Sequence, residues 1–291
     1  MKEIIQRLPN GDIRAAIQDE PWSEKFGAKC IGNNTWERVF KYRPISLPDE
    51  LNEFKETNSI NCSNRLWITM NGFSNTEEFL QKYQLKPNTY EMACTRLFMS
   101  TINGLRCRFP NIDISVLSGA SNTGIDLALA QACAKSKPPI VPVGVTCPRF
   151  LLYIQDDPQL GPVYVASTKE EYAGLYVEWA DLLITTGGRE HALVHDIYCA
   201  CKSLTKIYFV NVLKLICSNL SQSGILVNPA TGKVTIENAP AVFGNIVSFF
   251  EMNPVIRFSD TNLDIWKQCE VAVTNFAIEV ARQKLPPEIV F

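Results

Sequence analysis

The sequence predicts an α/β fold: a Rossmann-like, doubly wound, mainly parallel sheet with helices on both faces, plus N- and C-terminal extensions. Three observations predict it. Short apolar runs of β type alternate with runs of helical composition from about residue 65 to 212, the pattern left by parallel strands joined through crossover helices. Two of the strand-to-helix junctions are glycine-bearing turns, Leu117-Ser-Gly-Ala-Ser-Asn-Thr-Gly-Ile125 and Leu183-Ile-Thr-Thr-Gly-Gly-Arg-Glu-His191. The 291-residue chain is 46% hydrophobic and 20% charged, ordinary for a protein with a real core.

Residues 1–60 read as an N-terminal extension packed on the body. Pro21-Trp22, Gly32-Asn33-Asn34 and the stretch from Pro44 to Pro48 punctuate it, while Trp22, Trp36, Phe40 and Tyr42 supply surface to bury. The Rossmann-like domain spans 61–212. Leu66 to Met70 is its first strand, and Asn71-Gly72-Phe73-Ser74-Asn75-Thr76 the turn after it. Thr76 to Tyr83 starts with acids, as a helix does. Tyr90 to Arg108 is an amphipathic helix, with Met92, Leu97, Ile102 and Leu105 at apolar positions and Pro110 beyond its end.

Ile112 to Leu117 is the next strand and Ile125 to Lys135 the helix that follows the first glycine turn. Pro139 to Val145 and Val163 to Ala166 are buried-strand runs. Lys169 to Ala180 reads as helix, Leu182 to Thr186 as strand, Arg189 to Lys202 as helix and Ile207 to Val210 as strand. Residues 213–291 form the C-terminal extension: a hairpin of Ile225 to Asn228 and Lys233 to Ile236 around Pro229-Ala-Thr-Gly232, then a helix from about Leu263 to Lys284.

Charge and composition exclude several classes. A net charge of −2 offers no general attraction to nucleic acid or anionic membrane, so no nucleic-acid partner is expected. No stretch reaches the roughly 18 apolar residues of a membrane span. The N-terminus lacks the apolar block of a signal peptide, so a cytoplasmic protein is expected. The ten cysteines are scattered without a Cys-x-x-Cys pair, which reads as reduced, mostly buried thiols rather than a zinc site or disulfide framework.

The two glycine turns carry the functional reading. Each places a helix N-terminus at one edge of the sheet, where exposed N–H groups and a partial positive charge attract phosphate or carboxylate. The first, Ser118 to Gly124, has P-loop glycine spacing, but Ile125-Asp126 stands where Lys-Ser/Thr is required, so triphosphate transfer is not expected. It is not the Gly-x-Gly-x-x-Gly dinucleotide fingerprint either. Gly119 and Gly124 permit close backbone approach, and Ser121, Asn122 and Thr123 offer hydrogen bonds, though the same turn also serves as an ordinary capped junction. In the second turn Gly187-Gly188 follow the strand directly, and Arg189, Glu190 and His191 open the helix. His191 and His195 share a helix face. With no Glu after His191 and no third ligand in sight, no metal is expected.

This arrangement, a strand, a Ser-Gly-x-Ser-x-x-Gly-type turn, a helix and then an apolar strand ending in Gly-Gly, resembles the SLOG superfamily over roughly residues 62 to 212. That group includes the lonely-guy phosphoribohydrolases, often described as lysine decarboxylases, the DNA-processing protein DprA, and sensor domains for nucleotide-derived signals. Lonely-guy enzymes carry Pro-Gly-Gly-x-Gly-Thr-x-Glu-Glu. Here Thr186 replaces the proline, Gly187 and Gly188 match, Arg189 fills the variable place, Glu190-His191 replace Gly-Thr, and Leu193 and Val194 stand where the two glutamates belong.

The resemblance implies a nucleotide or phosphorylated ligand, no further cofactor, and a homodimer. Gly119, Ser121, Asn122, Thr123, Gly124, Gly187, Gly188, His191 and Gly72 are the expected ligand-binding residues. If the protein hydrolyses the N-glycosidic bond of a nucleoside monophosphate, Glu190 and Arg189 are the catalytic residues: Arg189 as a phosphate fork and Glu190 as the acid that assists departure of the base. Asp126 is a second candidate acid, and helix-start electrostatics alone also accounts for either carboxylate. The alternative is a non-catalytic nucleotide-signal sensor or binding module, which the missing Glu-Glu favours. A scaffold that keeps only the fold is a third reading. Phe73 is a candidate to stack on a base, and Arg149 to reach a phosphate.

Overall fold

The structure is a computed structural model. It describes residues 3–60, 62–74, 80–81, 85–186, 190–210, 212, 216, 225–227, 234–236, 256–258 and 266–290; the side chains of 190–194, 225–227, 234–236, 256–258, 288 and 290 are not among the described parts. The chain begins with β1 (Glu3–Arg7), β2 (Ile13–Gln18), β3 (Lys29–Cys30) and β4 (Thr35–Phe40), which pair antiparallel in the order β1-β2-β4-β3. The segment that composition left irregular therefore carries a small sheet of its own. Ile13, Ala15, Ile17 and Phe40 bury one face of it against Leu151, Leu152 and Ile154. Its exit is pinned electrostatically: the Asp156 carboxylate accepts the backbone N–H groups of Lys41, Tyr42 and Arg43, each at 2.9 Å.

After β5 (Ile45–Ser46) and α1 (Leu51–Thr57) comes the strand–helix alternation. β6 is Arg65–Asn71, α2 Thr89–Arg108, β7 Asp113–Ser118, α3 Gly124–Lys135, β8 Val143–Thr146, α4 Pro148–Leu151, β9 Val163–Val165, α5 Lys169–Glu178, β10 Leu182–Thr185, α6 Glu190–Ser203 and β11 Lys206–Phe209. Each element expected there between residues 90 and 210 is present to within a few residues. The helix expected over Thr76 to Tyr83 lies largely outside the described residues. β12 (Ile225–Val227) and β13 (Val234–Ile236) form the expected antiparallel hairpin. β14 (Ile256–Phe258), α7 (Trp266–Lys284) and α8 (Pro287–Val290) follow.

The main sheet has eight strands in the order β14-β11-β10-β6-β7-β8-β9-β5, and every pairing in it is parallel. The core order β8-β7-β6-β10-β11-β14 is the doubly wound Rossmann arrangement. Both sequence extensions contribute edge strands: β5 comes from the first 60 residues and β14 from the last 79, the span from 213 to 291. Two- and three-residue strands carry no periodicity to read, so neither edge was legible beforehand.

Alternation along β6 assigns the layers. Leu66, Ile68 and Met70 pack under α2, α3 and α7 through Leu97, Phe98, Ile102, Leu129, Val273 and Ala277. Trp67 faces the other side, where Tyr176 and Val177 of α5, Ala200 of α6 and Phe54 of α1 cover the sheet. Parallel strands buried on both faces account for the near-continuous apolar runs. Within α2 the apolar stripe is as expected except at Met92, which is 60% exposed. No helix among the described residues is long and apolar enough to cross a membrane.

Candidate functional site

The chain leaves β6 toward β7, β8 and β9 on one side, then returns to place β10 on the other side of β6. The switch point of the sheet therefore lies between β6 and β10. At a switch point the connections diverge to opposite faces and leave a crevice beyond the carboxyl ends of the strands. The loop after β6 (Gly72-Phe73-Ser74), the loop after β7 (Gly119 to Thr123) and the loop entered at Thr186 all leave this edge from adjacent strands.

Two of these loops are locked to each other. Thr186 Oγ1 donates to the Asn71 carbonyl at 3.0 Å, and the Thr186 N–H reaches the same oxygen at 3.0 Å. The Phe73 N–H donates to the Tyr90 hydroxyl at 3.0 Å, which lies 2.6 Å from Thr186 Oγ1. Gly72 sits inside this knot: a Cβ there would come within 2.0 Å of the Tyr90 hydroxyl and 2.4 Å of Thr186 Oγ1. Phe73 packs edge-on against Tyr90, ring centroids 5.7 Å apart, rather than standing over the crevice.

The first glycine turn is organised around Asp126. Its Oδ1 accepts the Gly119 N–H at 2.7 Å, and its Oδ2 accepts Ser121 Oγ at 2.6 Å. Burial pushes the Asp126 carboxyl up from its ordinary value while these bonds oppose the rise. The acid thus spends both oxygens inside its own loop. Gly119 has no room for a side chain, since a Cβ would meet Asp126 Oδ2 at 2.7 Å and the Tyr172 hydroxyl at 2.8 Å. Gly124, at φ +51°, has no room for a Cβ beside the Phe73 carbonyl, and the Ile125 N–H donates to that carbonyl at 3.0 Å. One of the free amides expected at the start of α3 is therefore satisfied by the neighbouring loop. Thr123 precedes α3 in extended conformation without a side-chain cap, its hydroxyl 3.4 Å from Ser121 Oγ, and the Asn122 N–H reaches the Tyr153 carbonyl at 3.4 Å.

Gly187, Gly188 and Arg189 lie outside the described residues, as do the side chains of Glu190 and His191. His195 is described: its Nδ1 is 3.6 Å from Cys199 Sγ. No cluster of potential metal ligands occurs among the described residues. Arg149 is turned away from the phosphate role considered for it. Its Nε meets Glu20 Oε1 at 2.5 Å, and Glu20 also receives the Tyr153 hydroxyl, so the guanidinium is engaged with the segment that follows β2.

Four groups that were not assigned a role from the sequence gather on the α5–α6 side of the same edge. Asn71, the last residue of β6, is 7% exposed and donates from Nδ2 to Asp196 Oδ2 at 2.8 Å. Burial pushes the Asp196 carboxyl from 3.8 up to about 7, against the pull of the Asn71 bond. Tyr172 and Tyr176 approach from α5, and burial holds both phenols well above their ordinary value, with Asp126 and Asp196 adding to the rise. One signal was available: Asp196 interrupts an otherwise apolar stretch of α6 that includes Ile197, Cys199 and Ala200. A charge placed there needs a partner from another element.

No family model matches the chain, and no curated protein matches it. Among solved structures, the chain is similar to the molybdenum cofactor binding protein from the phototrophic bacterium Rippkaea orientalis, at 11% identity and a TM-score of 0.40, covering 80% of this chain and 97% of that one. Similarity of that degree carries no argument about the site.

Proposed function

We propose that the protein binds a nucleotide, or a closely related phosphorylated ligand, in the crevice between the carboxyl ends of β6 and β10. The observation that carries this reading is convergence: three loops leave adjacent strands at the switch point, and polar groups line that edge where the strands themselves are apolar. The SLOG resemblance of the two glycine turns supports the same ligand class. Gly187, Gly188 and Arg189, at the start of α6, are proposed to meet the phosphate, because a helix N-terminus and a guanidinium both favour an anion.

Hydrolysis of the N-glycosidic bond is the second reading. What favours it is an acid at this edge with a pKa of about 7, matched to proton transfer near neutrality. Glu190 remains the sequence-derived candidate for the same work.

A thermal-shift screen against nucleoside mono-, di- and triphosphates, NAD, ADP-ribose and cyclic nucleotides tests both, with chromatography of each hit after overnight incubation. Stabilisation with release of free base establishes hydrolysis, and Glu190→Gln and Asp196→Asn then identify the acid. Stabilisation with the ligand recovered intact establishes a binding module; at 100-fold excess over Kd the gain is about 2.7 kcal/mol. No stabilisation by any of these ligands overturns the proposal.

A further inference from the structure

The switch-point edge holds hydrogen-bonding groups that the protein itself does not satisfy. Asn71 and Thr185 are register partners on the two strands that flank the switch point. Both are buried, Thr185 completely. Asn71 Oδ1 and Thr185 Oγ1 are enclosed without a hydrogen-bond partner. Side chains at paired positions of parallel strands project to the same face, so these two unsatisfied oxygens lie side by side. The Asn71 Nδ2 bond to Asp196 fixes the carboxamide and brings the carboxyl to the same place. Asp196 receives that bond and no other among the described residues.

The cluster is rich in acceptors. An ionised carboxylate and a carboxamide oxygen only accept, and a threonine hydroxyl does either. Phosphate near neutral pH brings mostly acceptors and leaves the cluster unsatisfied. A vicinal pair of hydroxyls brings two donors at the spacing of two neighbouring groups.

We infer that Asn71, Thr185 and Asp196 seat the sugar of the ligand, with the 2′- and 3′-hydroxyls of a ribose donating to the Asp196 carboxylate and to Asn71 Oδ1. The inference rests on the nucleotide reading and deepens it: phosphate lies toward α6's first turn and the ribose diol lies over β6 and β10. Only the ionised Asp196 accepts from a hydroxyl at both oxygens, so ribose recognition strengthens as pH rises through about 7. The titratable groups around it are Tyr172 and Tyr176 on α5, Asp126 at the start of α3, and His195 and Cys199 on its own helix. The two tyrosines stay neutral across this range.

The test uses the full chain and titrates AMP, GMP, CMP and UMP, each against its 2′-deoxy counterpart, by calorimetry at pH about 6 and about 8. At the higher pH the best ribonucleotide is expected to bind at least about tenfold more tightly than its deoxy form, because a site built around a hydroxyl rejects the analogue lacking it. The preference is expected to shrink severalfold at the lower pH, and to vanish at both in Asp196→Asn. Thr185→Val gives an independent arm: its hydroxyl has no partner to lose, so folding is preserved while affinity for the ribonucleotide falls. Binding with no ribo-over-deoxy preference overturns this inference and leaves the nucleotide reading standing, as does a preference that Asp196→Asn retains. Failure of every nucleotide to bind overturns both.

Discussion

Tyr90 and Thr186 meet hydroxyl to hydroxyl at 2.6 Å in the buried corner between β6 and β10. The Thr186 hydrogen is committed to the Asn71 carbonyl, and the Phe73 N–H occupies the Tyr90 oxygen. The Cys94 thiol joins the same buried cluster, bonded to both hydroxyls. This hydrogen-bonded cluster ties α2 to the loops on both sides of the switch point, and burial keeps the Tyr90 phenol neutral, its pKa raised well above the ordinary value.

Tyr90→Phe keeps the ring packed on Phe73 but leaves the Phe73 N–H without its acceptor and removes one of the two contacts of the Thr186 hydroxyl, which keeps the Asn71 carbonyl. A loss of about 1–3 kcal/mol in urea unfolding is expected. Thr186→Val is expected to cost a similar amount, and the double variant less than the sum. Strict additivity of the two would show that the hydroxyls do not interact.

Glycine substitutions separate packing from conformational entropy. Gly72→Ala drives a methyl group to 2.0 Å from the Tyr90 hydroxyl, and Gly124→Ala drives one to 2.1 Å from the Phe73 carbonyl. Each is expected to destabilise by about 2 kcal/mol or more. Gly174, inside α5, has only Glu178 Oε1 nearby, at 3.9 Å. Gly174→Ala is expected to stabilise by about 0.5–1 kcal/mol. A Gly124→Ala protein as stable as wild type in thermal unfolding would contradict the close approach of the two loops.

Asp196 makes stability pH-dependent in a definite direction. Its folded pKa, about 7, lies above the ordinary 3.8, so the folded state holds a proton that the unfolded chain has released. Stability is therefore expected to fall as pH rises between those values, and to stay low above pH 7. The rise corresponds to at most roughly 4 kcal/mol. Asp196→Asn removes the dependence, so its Tm relative to wild type should climb across this range and level off above it. Parallel Tm curves for the two proteins would refute the assignment.

Arg149 gives a test of where ligand does not bind. Arg149→Met breaks the contact with Glu20, which is 4% exposed and keeps the Tyr153 hydroxyl. Removing the partner of a buried charge is expected to destabilise by about 1–3 kcal/mol, discounted because Arg149 itself is 47% exposed. Nucleotide affinity at the switch point should be unchanged. A tenfold weakening of binding with stability intact would return Arg149 to the site.

By itself the sequence determined the α/β alternation and the two glycine turns, because strand and helix periodicities and the glycine positions are local properties of the chain. Residues 66–70 and 182–186 read as strands for that reason, and the helices over 90–108 and 169–180 for the same one. The tertiary structure alone decided which polar side chains share an environment. Arg149 looked available until Glu20, in the segment after β2, met it, and Asp126, a second candidate acid by sequence, turns both its oxygens to Gly119 and Ser121. Asn71 and Thr185 were strand ends until register set them side by side under Asp196. Burial and partnership of polar groups depend on contacts between residues far apart in the chain, and no local pattern encodes them.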